Sequence, residues 1–172
     1  IIDFLDWYER QLSRLQVKVL LNTPLDCEEA RAIGADEVIV ATGALPDGKA
    51  FQRAMPEHDA LPGIERGNAW SVEDVMGRSA RLGHLVILLD ETSNWKGGGA
   101  ALMLAEAGHA VTMVTGAAMV MSEMARTNAD VTLRTRLRQL GVRMITEAVM
   151  LEWHGNGATI KASGSAPERL AA

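Results

Sequence analysis

Apolar residues follow two different spacings along this chain. Near its start they recur every three or four residues, at Leu5, Tyr8, Leu12 and Leu15, and this spacing predicts an amphipathic helix. Mainly apolar runs of strand length follow, and we expect each to form a buried strand. They span residues 17–21, 37–41, 85–89 and 142–146. Residues 25–33 fit neither pattern and predict either a short helix or an irregular crossover.

Boundary signals mark further helices in the second half of the chain. Ser71 followed by Asp74 is typical of a helix N-terminus, and we expect this helix to continue to about Leu82. Residues 100–107 are apolar on nearly all sides, which predicts a buried helix that ends at Gly108.

A third helix and a hairpin complete the predicted elements. Three leucines before Gly141 recur at helical spacing, namely Leu133, Leu137 and Leu140. They predict a second amphipathic helix that ends at Gly141. After the strand at 142–146, residues 149–154 and 159–162 flank the sequence Gly-Asn-Gly. Such a turn between two apolar runs predicts a β-hairpin.

The segment 85–116 contains an apolar run, three consecutive glycines, the helix and a second apolar run. This order is that of a nucleotide-binding βαβ unit, although no register of the glycines gives G-x-G-x-x-G. The predicted fold class is therefore α/β, a Rossmann-like three-layer βαβ nucleotide-binding domain with a β-hairpin. Part of a second nucleotide-binding domain is expected to precede it.

The domain organisation is inferred from an internal similarity. The same pattern, a helix end followed by an apolar run, occurs at residues 14–23 and again at 139–148. Such a repeat is expected if the two halves of the chain are duplicates. We therefore expect residues 1–46 to be the C-terminal part of a first, FAD-type domain, and 71–172 to be a second domain that binds NAD(P) or ADP and lacks its last strand. The proline- and glycine-containing stretch 47–70 is the predicted linker.

Composition excludes several classes of function. The chain has 172 residues, 48% of them apolar and 23% charged, and a net charge of −5, which argues against nucleic-acid binding. Its single cysteine, Cys27, excludes an internal disulfide and an iron–sulfur cluster held by this chain alone. No stretch fits a membrane span, no metal site is expected, and the predicted location is cytoplasmic. Ile1 in place of an initiator methionine suggests a fragment.

The candidate nucleotide site is at the three glycines. Gly97, Gly98 and Gly99 at a helix start would let the backbone approach a phosphate, which free N–H groups and the helix dipole attract. Lys96 could add a positive charge, and Trp95 could stack on an adenine. The alternative is that these glycines serve only close packing between helix and strand.

The end of the second strand weakens a specific NAD(P)H site. An NAD-binding strand ends in an acid that binds the ribose, whereas this one ends in Thr115-Gly116. Asp90 and Glu91, just before the glycines, would repel a phosphate. A degenerate fold with a structural or oligomerisation role therefore remains as the rival hypothesis, and no catalytic residue is predicted in this chain.

The order of motifs resembles a known flavoprotein family. A strand ending in Ala-Thr-Gly, with Thr42 and Gly43, precedes LPGIE, the helix start WSVEDV and the βαβ unit. This series is similar to the paired dinucleotide domains of the disulfide reductases. It most resembles the C-terminal region of the trimethylamine dehydrogenase and 2,4-dienoyl-CoA reductase branch of the NADH:flavin oxidoreductases.

The resemblance implies the cofactors and partners of the whole protein. Members of this family carry an N-terminal barrel with FMN and a 4Fe–4S cluster, where the redox chemistry occurs, so the missing flavin barrel is an expected partner within the same polypeptide. Thr42 and Gly43 correspond to the nucleotide turn of the first domain, which holds FAD in the dienoyl reductases. Gly97, Gly98 and Gly99 correspond to the second domain's loop, with ADP or NAD(P)H as candidate ligands. Strand edges without partners predict a homo-oligomer.

Overall fold

A computed structural model describes residues 2–172. The chain divides into two compact units, one that ends at Ala44 and one that spans Leu45–Ala172. The assignment of residues 1–46, 47–70 and 71–172 to separate domains, with a last strand missing, stays a prediction. Among the described residues, no helix combines the length and the apolar character that a membrane span requires.

The first unit contains two helices, α1 (Ile2–Arg14) and α2 (Cys27–Ala32). The helix at the start of the chain is confirmed. Of the two alternatives for residues 25–33, the short helix is correct, because Asp26 and Glu29 form a capping box at its start.

The strands predicted at 17–21 and 37–41 are not formed. A strand requires a neighbouring backbone as its hydrogen-bonding partner, and no described residue pairs with either run. Their side chains are exposed instead of buried: Ile39 is 92% exposed and Leu21 79%. The apolar runs were identified correctly, but the pairing that would convert them into strands is absent.

The second unit has three layers. Strands β1 (Leu85–Leu89), β2 (Ala110–Val114) and β3 (Arg143–Ile145) form a parallel sheet in the order β1-β2-β3. Helices α4 (Trp95–Glu106) and α5 (Ala129–Gln139) connect these strands and share one apolar core with the sheet. This architecture confirms the predicted α/β, Rossmann-like fold.

The third layer is an antiparallel sheet made of β4 (Ala148–Trp153), β5 (Gly157–Ala162) and β6 (Glu168–Ala171). Strands β4 and β5 confirm the predicted hairpin, whereas β6 was not anticipated. Successive side chains of β1 point to opposite faces of the parallel sheet, so the strand contacts a layer on each side. Leu88 of β1 belongs to the core beneath the helices, while Ile87 and Leu89 pack in a second core with the antiparallel sheet.

Helix boundaries differ from the predictions in two places. Helix α3 (Val72–Met76) begins as expected: the Ser71 hydroxyl accepts a hydrogen bond from the Asp74 backbone N–H, and the Asp74 carboxylate accepts one from the Ser71 backbone N–H. The helix ends well before Leu82. Its last turn ends at Gly77, whose N–H donates to the carbonyls of Glu73 and Val75. The next residue, Arg78, has a left-handed φ of +59°, which a helix cannot continue through. The other helix, α4, begins at Trp95, five residues before the predicted start.

The stretch predicted as a linker packs on the antiparallel sheet. Leu61 is 4% exposed and belongs to the core of that sheet. A short 3₁₀ turn, Ile64–Arg66, follows, and Arg66 donates a 3.0 Å hydrogen bond to the carbonyl of Trp153. The indole of Trp153 in turn donates to the carbonyl of Gly67. These contacts hold the stretch against the antiparallel sheet of the same unit.

Candidate functional site: the crevice at the ends of β1 and β2

A crevice of about 310 Å³ opens where β1 and β2 end. Asp90 directly follows β1 and Thr115 directly follows β2, so both lie at the carboxyl edge of the parallel sheet. Ligands of open α/β sheets bind at this edge. Hydroxyl and charged side chains line much of the crevice, which we call the β1–β2 crevice; they are Arg53, Asp90, Glu91, Thr92, Ser93, Thr115, Ser122 and Glu123.

Asn94 determines where α4 begins. Its side-chain oxygen accepts a 2.9 Å hydrogen bond from the Lys96 N–H and a 3.1 Å hydrogen bond from the Thr92 hydroxyl. Because Asn94 caps the helix here, Gly97, Gly98 and Gly99 lie within its first turns. The expectation that they form a loop ahead of the helix is therefore wrong. The loop between strand and helix is residues 90–94.

The three glycines have different surroundings. A Cβ on Gly97 would lie 2.6 Å from Cγ of Asp90, and one on Gly98 would collide with Met121 and lie 2.8 Å from Leu133. A Cβ on Gly99 would meet nothing within 4 Å. The first two glycines are therefore required for close packing. Gly97 also brings the backbone of α4 directly against the Asp90 carboxyl.

Asp90 is the most unusual residue of the crevice. It is 2% exposed, and its Oδ1 accepts a 2.9 Å hydrogen bond from the Ser93 N–H. The Thr92 hydroxyl lies 3.3 Å from this Oδ1 and shares its single proton between Asp90 and Asn94. Oδ2 of Asp90 is buried and has no partner. Burial raises the pKa of this carboxyl above its usual range, and the bonds from Ser93 and Thr92 oppose that shift.

Thr115 lines the crevice, and the other predicted residues do not. Its buried hydroxyl lies 3.4 Å from that of Ser93 and accepts a hydrogen bond from the Ala117 N–H. Lys96 forms an ion pair of 2.6 Å with Glu73, and this contact lowers the pKa of the Glu73 carboxyl. Trp95 is 61% exposed. Neither residue lines the crevice.

Thr42 and Gly43 belong to the first unit, where both are exposed and lie outside any helix or strand. The structure therefore groups the predicted site residues differently from the sequence. Thr115 and Gly97 lie beside Asp90, which the sequence marked only as a source of repulsion.

Arg53 was missed by the sequence analysis. It lies in the stretch 47–70, and its backbone N–H donates a 3.0 Å hydrogen bond to the Glu91 carboxylate. Ser122 and Glu123 were missed as well. They belong to a 3₁₀ turn, Ser122–Thr127, whose Glu123 N–H donates to the carbonyl of Ser93. No sequence signal joins these distant segments.

Burial of Asp90 predicts a pH-dependent stability. Because its pKa is raised in the folded state, the folded protein holds this proton more tightly than the unfolded chain, and stability falls as pH rises through the raised pKa. Asp90→Asn removes this effect. We expect the variant to gain about 1 kcal/mol or more over the wild type between about pH 4 and neutrality.

Thermal unfolding of both proteins across this pH range measures the gain. Asp74→Asn is the matched control with the opposite sign, because hydrogen bonds from Ser71 lower the pKa of Asp74. That variant should lose stability relative to the wild type as pH rises. A difference between Asp90→Asn and wild type that stays constant with pH contradicts the prediction.

With this geometry established, the chain can be compared with known proteins. Residues 97–165 match the pyridine nucleotide-disulphide oxidoreductase family. The match covers less than half of the chain and extends from α4 to β5. These residues carry the sequence pattern of an oxidoreductase nucleotide-binding domain.

Two curated relatives match a larger share of the chain. The N,N-dimethylglycine/sarcosine dehydrogenase of Chromohalobacter salexigens is 31% identical over 109 residues, which are 63% of this chain and 15% of the relative. The cinnamate reductase of Clostridium sporogenes is 33% identical over 113 residues, 63% of this chain and 14% of the relative. The chain thus spans about a seventh of the length of these relatives.

A solved structure resembles nearly the whole chain. The 6-hydroxypseudooxynicotine amine oxidase of Pseudomonas geniculata N1 has a TM-score of 0.83 and 25% sequence identity, and the match covers 95% of this chain and 25% of that one. The likeness supports the α/β nucleotide-binding fold. It agrees with the predicted resemblance at the level of oxidoreductases that carry such a domain.

Proposed function

We propose that this chain is the nucleotide-binding part of a larger oxidoreductase that depends on a flavin and an iron–sulfur cluster. The class is that of an amine dehydrogenase or demethylase, or of an NADH:flavin oxidoreductase. Support comes from the family match at residues 97–165 and from similarity to a dimethylglycine/sarcosine dehydrogenase, a cinnamate reductase and an amine oxidase.

The redox chemistry is assigned to the remainder of the polypeptide. Cys27 is exposed and is the single cysteine of the chain, and among residues 2–172 no three His, Cys, Asp or Glu side chains are arranged to hold a metal ion. The described residues therefore do not fit an iron–sulfur cluster. FMN and the cluster belong to the proposed barrel, a partner within the same protein, and the proposed location is cytoplasmic.

The β1–β2 crevice carries the proposal of nucleotide binding. It lies at the carboxyl edge of the parallel sheet, and the Thr92, Thr115 and Ser122 hydroxyls are suited to bind a ribose or a phosphate. Its volume of about 310 Å³ is at the lower end for small-molecule sites, which favours ADP over a complete NAD(P)H. Arg53, which also lines the crevice, supplies a positive charge.

The second candidate function is structural. Asp90 places a buried carboxyl against Gly97 in the first turn of α4, where a phosphate would otherwise lie. A domain with its own carboxyl at this position keeps the fold without needing a nucleotide. Its role is then to pack against the rest of the protein or to mediate assembly into a homo-oligomer.

Calorimetric titration of the full-length protein with ADP, NADH and NADPH tests the nucleotide proposal. Ala54→Phe fills the crevice from an exposed position, and we expect it to weaken ADP binding at least about tenfold. Ala118→Phe adds the same volume at another exposed position, after β2 and outside the crevice, and should leave the affinity unchanged.

Each result separates the two candidates. Absence of binding by all three nucleotides contradicts the nucleotide proposal. The structural candidate is supported if deletion of residues 45–172 abolishes oligomerisation while the cofactor content of the protein is unchanged.

A further inference from the structure

The charges around the β1–β2 crevice do not favour a bound phosphate. Three carboxyl groups, those of Asp90, Glu91 and Glu123, line it together with the single guanidinium of Arg53. Lys96, the cation nearest in sequence, lies outside the crevice and is paired with Glu73. An anionic ligand therefore meets an excess of negative charge.

The three acids differ in how strongly they act on a ligand. Glu123 is exposed, and Glu91 is partly exposed and accepts a hydrogen bond from the Arg53 N–H. Water and salt screen both of these charges. Asp90 is 2% exposed, so its charge is screened least and dominates the repulsion.

The environment of Asp90 also indicates where a proton would be. Both hydrogen bonds to its carboxyl reach Oδ1, from the Ser93 N–H and the Thr92 hydroxyl, and Oδ2 has no partner. A proton on Oδ2 removes the charge and provides a donor. With a neutral Asp90 carboxyl, the remaining acids of the crevice are Glu91, which is partly exposed, and Glu123, which is exposed.

We propose that Asp90 is a specificity-determining residue of the crevice: it takes up a proton on Oδ2 when the phosphate groups of an adenine nucleotide bind in the crevice. The inference rests on the proposed nucleotide function. The proton comes from solvent and remains on the carboxyl, so the buried negative charge is absent while the phosphates are bound. No covalent bond changes. The crevice then discriminates between ligands by phosphate charge, and nucleotide binding is linked to proton uptake.

The charged groups on the neighbouring elements do not replace Asp90 in this role. Glu91 is in the same loop, Lys96 is on α4, Glu123 is on the 3₁₀ turn, and Arg53 is in the stretch 47–70. Each of them lies at the surface or has a partner in the described structure. The raised pKa of Asp90, caused by burial, is consistent with a carboxyl that accepts a proton more readily than an exposed one.

Titration with ADP-ribose tests the proposal, because its two phosphates hold the same charge at about pH 5.5 and about pH 8. We expect the full-length wild-type protein to bind at least about tenfold more tightly at the lower pH. Asp90→Asn should remove this pH dependence and bind at least about tenfold more tightly than wild type at the higher pH. Adenosine, which has no phosphate, should bind both proteins independently of pH.

Glu123→Gln is the matched control. It removes one negative charge from the same crevice but leaves the buried carboxyl, so the pH dependence should persist. Calorimetry in buffers of different ionisation enthalpy adds a second measurement: net proton uptake by the wild type and none by Asp90→Asn.

The outcomes separate this inference from the function on which it rests. Binding of ADP-ribose with one affinity at both pH values, unchanged by Asp90→Asn, overturns the inference and leaves the nucleotide function in place. Absence of binding by wild type and Asp90→Asn at both pH values overturns the nucleotide function and the inference together.

Discussion

Replacing Gln52 by leucine lowers the free energy of unfolding of the chain by about 3 kcal/mol, because two buried backbone groups lose their partners. Gln52 is 3% exposed. Its Nε2 donates to the Met150 carbonyl, and its Oε1 accepts from the Met150 N–H, each at 2.7 Å. The side-chain amide thus acts as a neighbouring strand for β4 at one residue. Leucine has a similar size but offers neither group.

Denaturant unfolding of wild type and Gln52→Leu measures this loss. Gln139→Leu is the matched control, since Gln139 is exposed at the end of α5, and we expect it to change stability by less than about 0.5 kcal/mol. If Gln52→Leu is as stable as the control, the prediction is wrong and the amide of Gln52 contributes nothing to holding the stretch 47–70 on β4.

Alanine at Gly97, Gly98 and Gly99 gives three different results, although the chemical change is the same. Gly98→Ala lowers stability by about 1–3 kcal/mol because its Cβ collides with Met121 and Leu133. Gly97→Ala lowers it by a similar amount, since the new Cβ meets the Asp90 carboxyl. Gly99→Ala has open space and raises stability by up to about 1 kcal/mol, because alanine favours the helix.

Thermal unfolding of the three variants provides the comparison, with Gly99→Ala as the internal control for helix propensity. Gly97→Ala should also displace Asp90 and alter the pH dependence of stability, which Gly98→Ala should leave intact. Equal stability of all three variants contradicts the packing role. The glycines would then be required for ligand contact alone.

Local signals predicted much of the second unit. Ser71 and Asp74 marked the start of α3, and Gly108 and Gly141 follow the ends of α4 and α5 with φ values of +92° and +77°. Capping bonds and glycine turns involve residues close in sequence, so their effect can be inferred from the sequence itself. The order of strands and helices, and from it the fold class, followed from these signals and the apolar periodicity.

The candidate site was only partly predictable. Thr115 was identified from its place at the end of β2, whereas the glycines were assigned to a loop because the Asn94 cap was not recognised. Arg53 could not have been found, because it reaches the crevice through a hydrogen bond between residues 38 positions apart. The apolar runs at 17–21 and 37–41 failed as strands because pairing is not a local property.

The sequence by itself determined most of the segments of Leu45–Ala172 that become helices and strands, β6 excepted, because periodicity and capping act over a few residues. Only the tertiary structure decided which glycines are required for packing, that Gln52 completes β4, and that Asp90 is buried with one oxygen unpartnered. Burial and desolvation depend on segments that are distant in the chain. The carboxyl that the sequence marked only as a source of repulsion is therefore, in the folded protein, a buried group beside the first turn of α4.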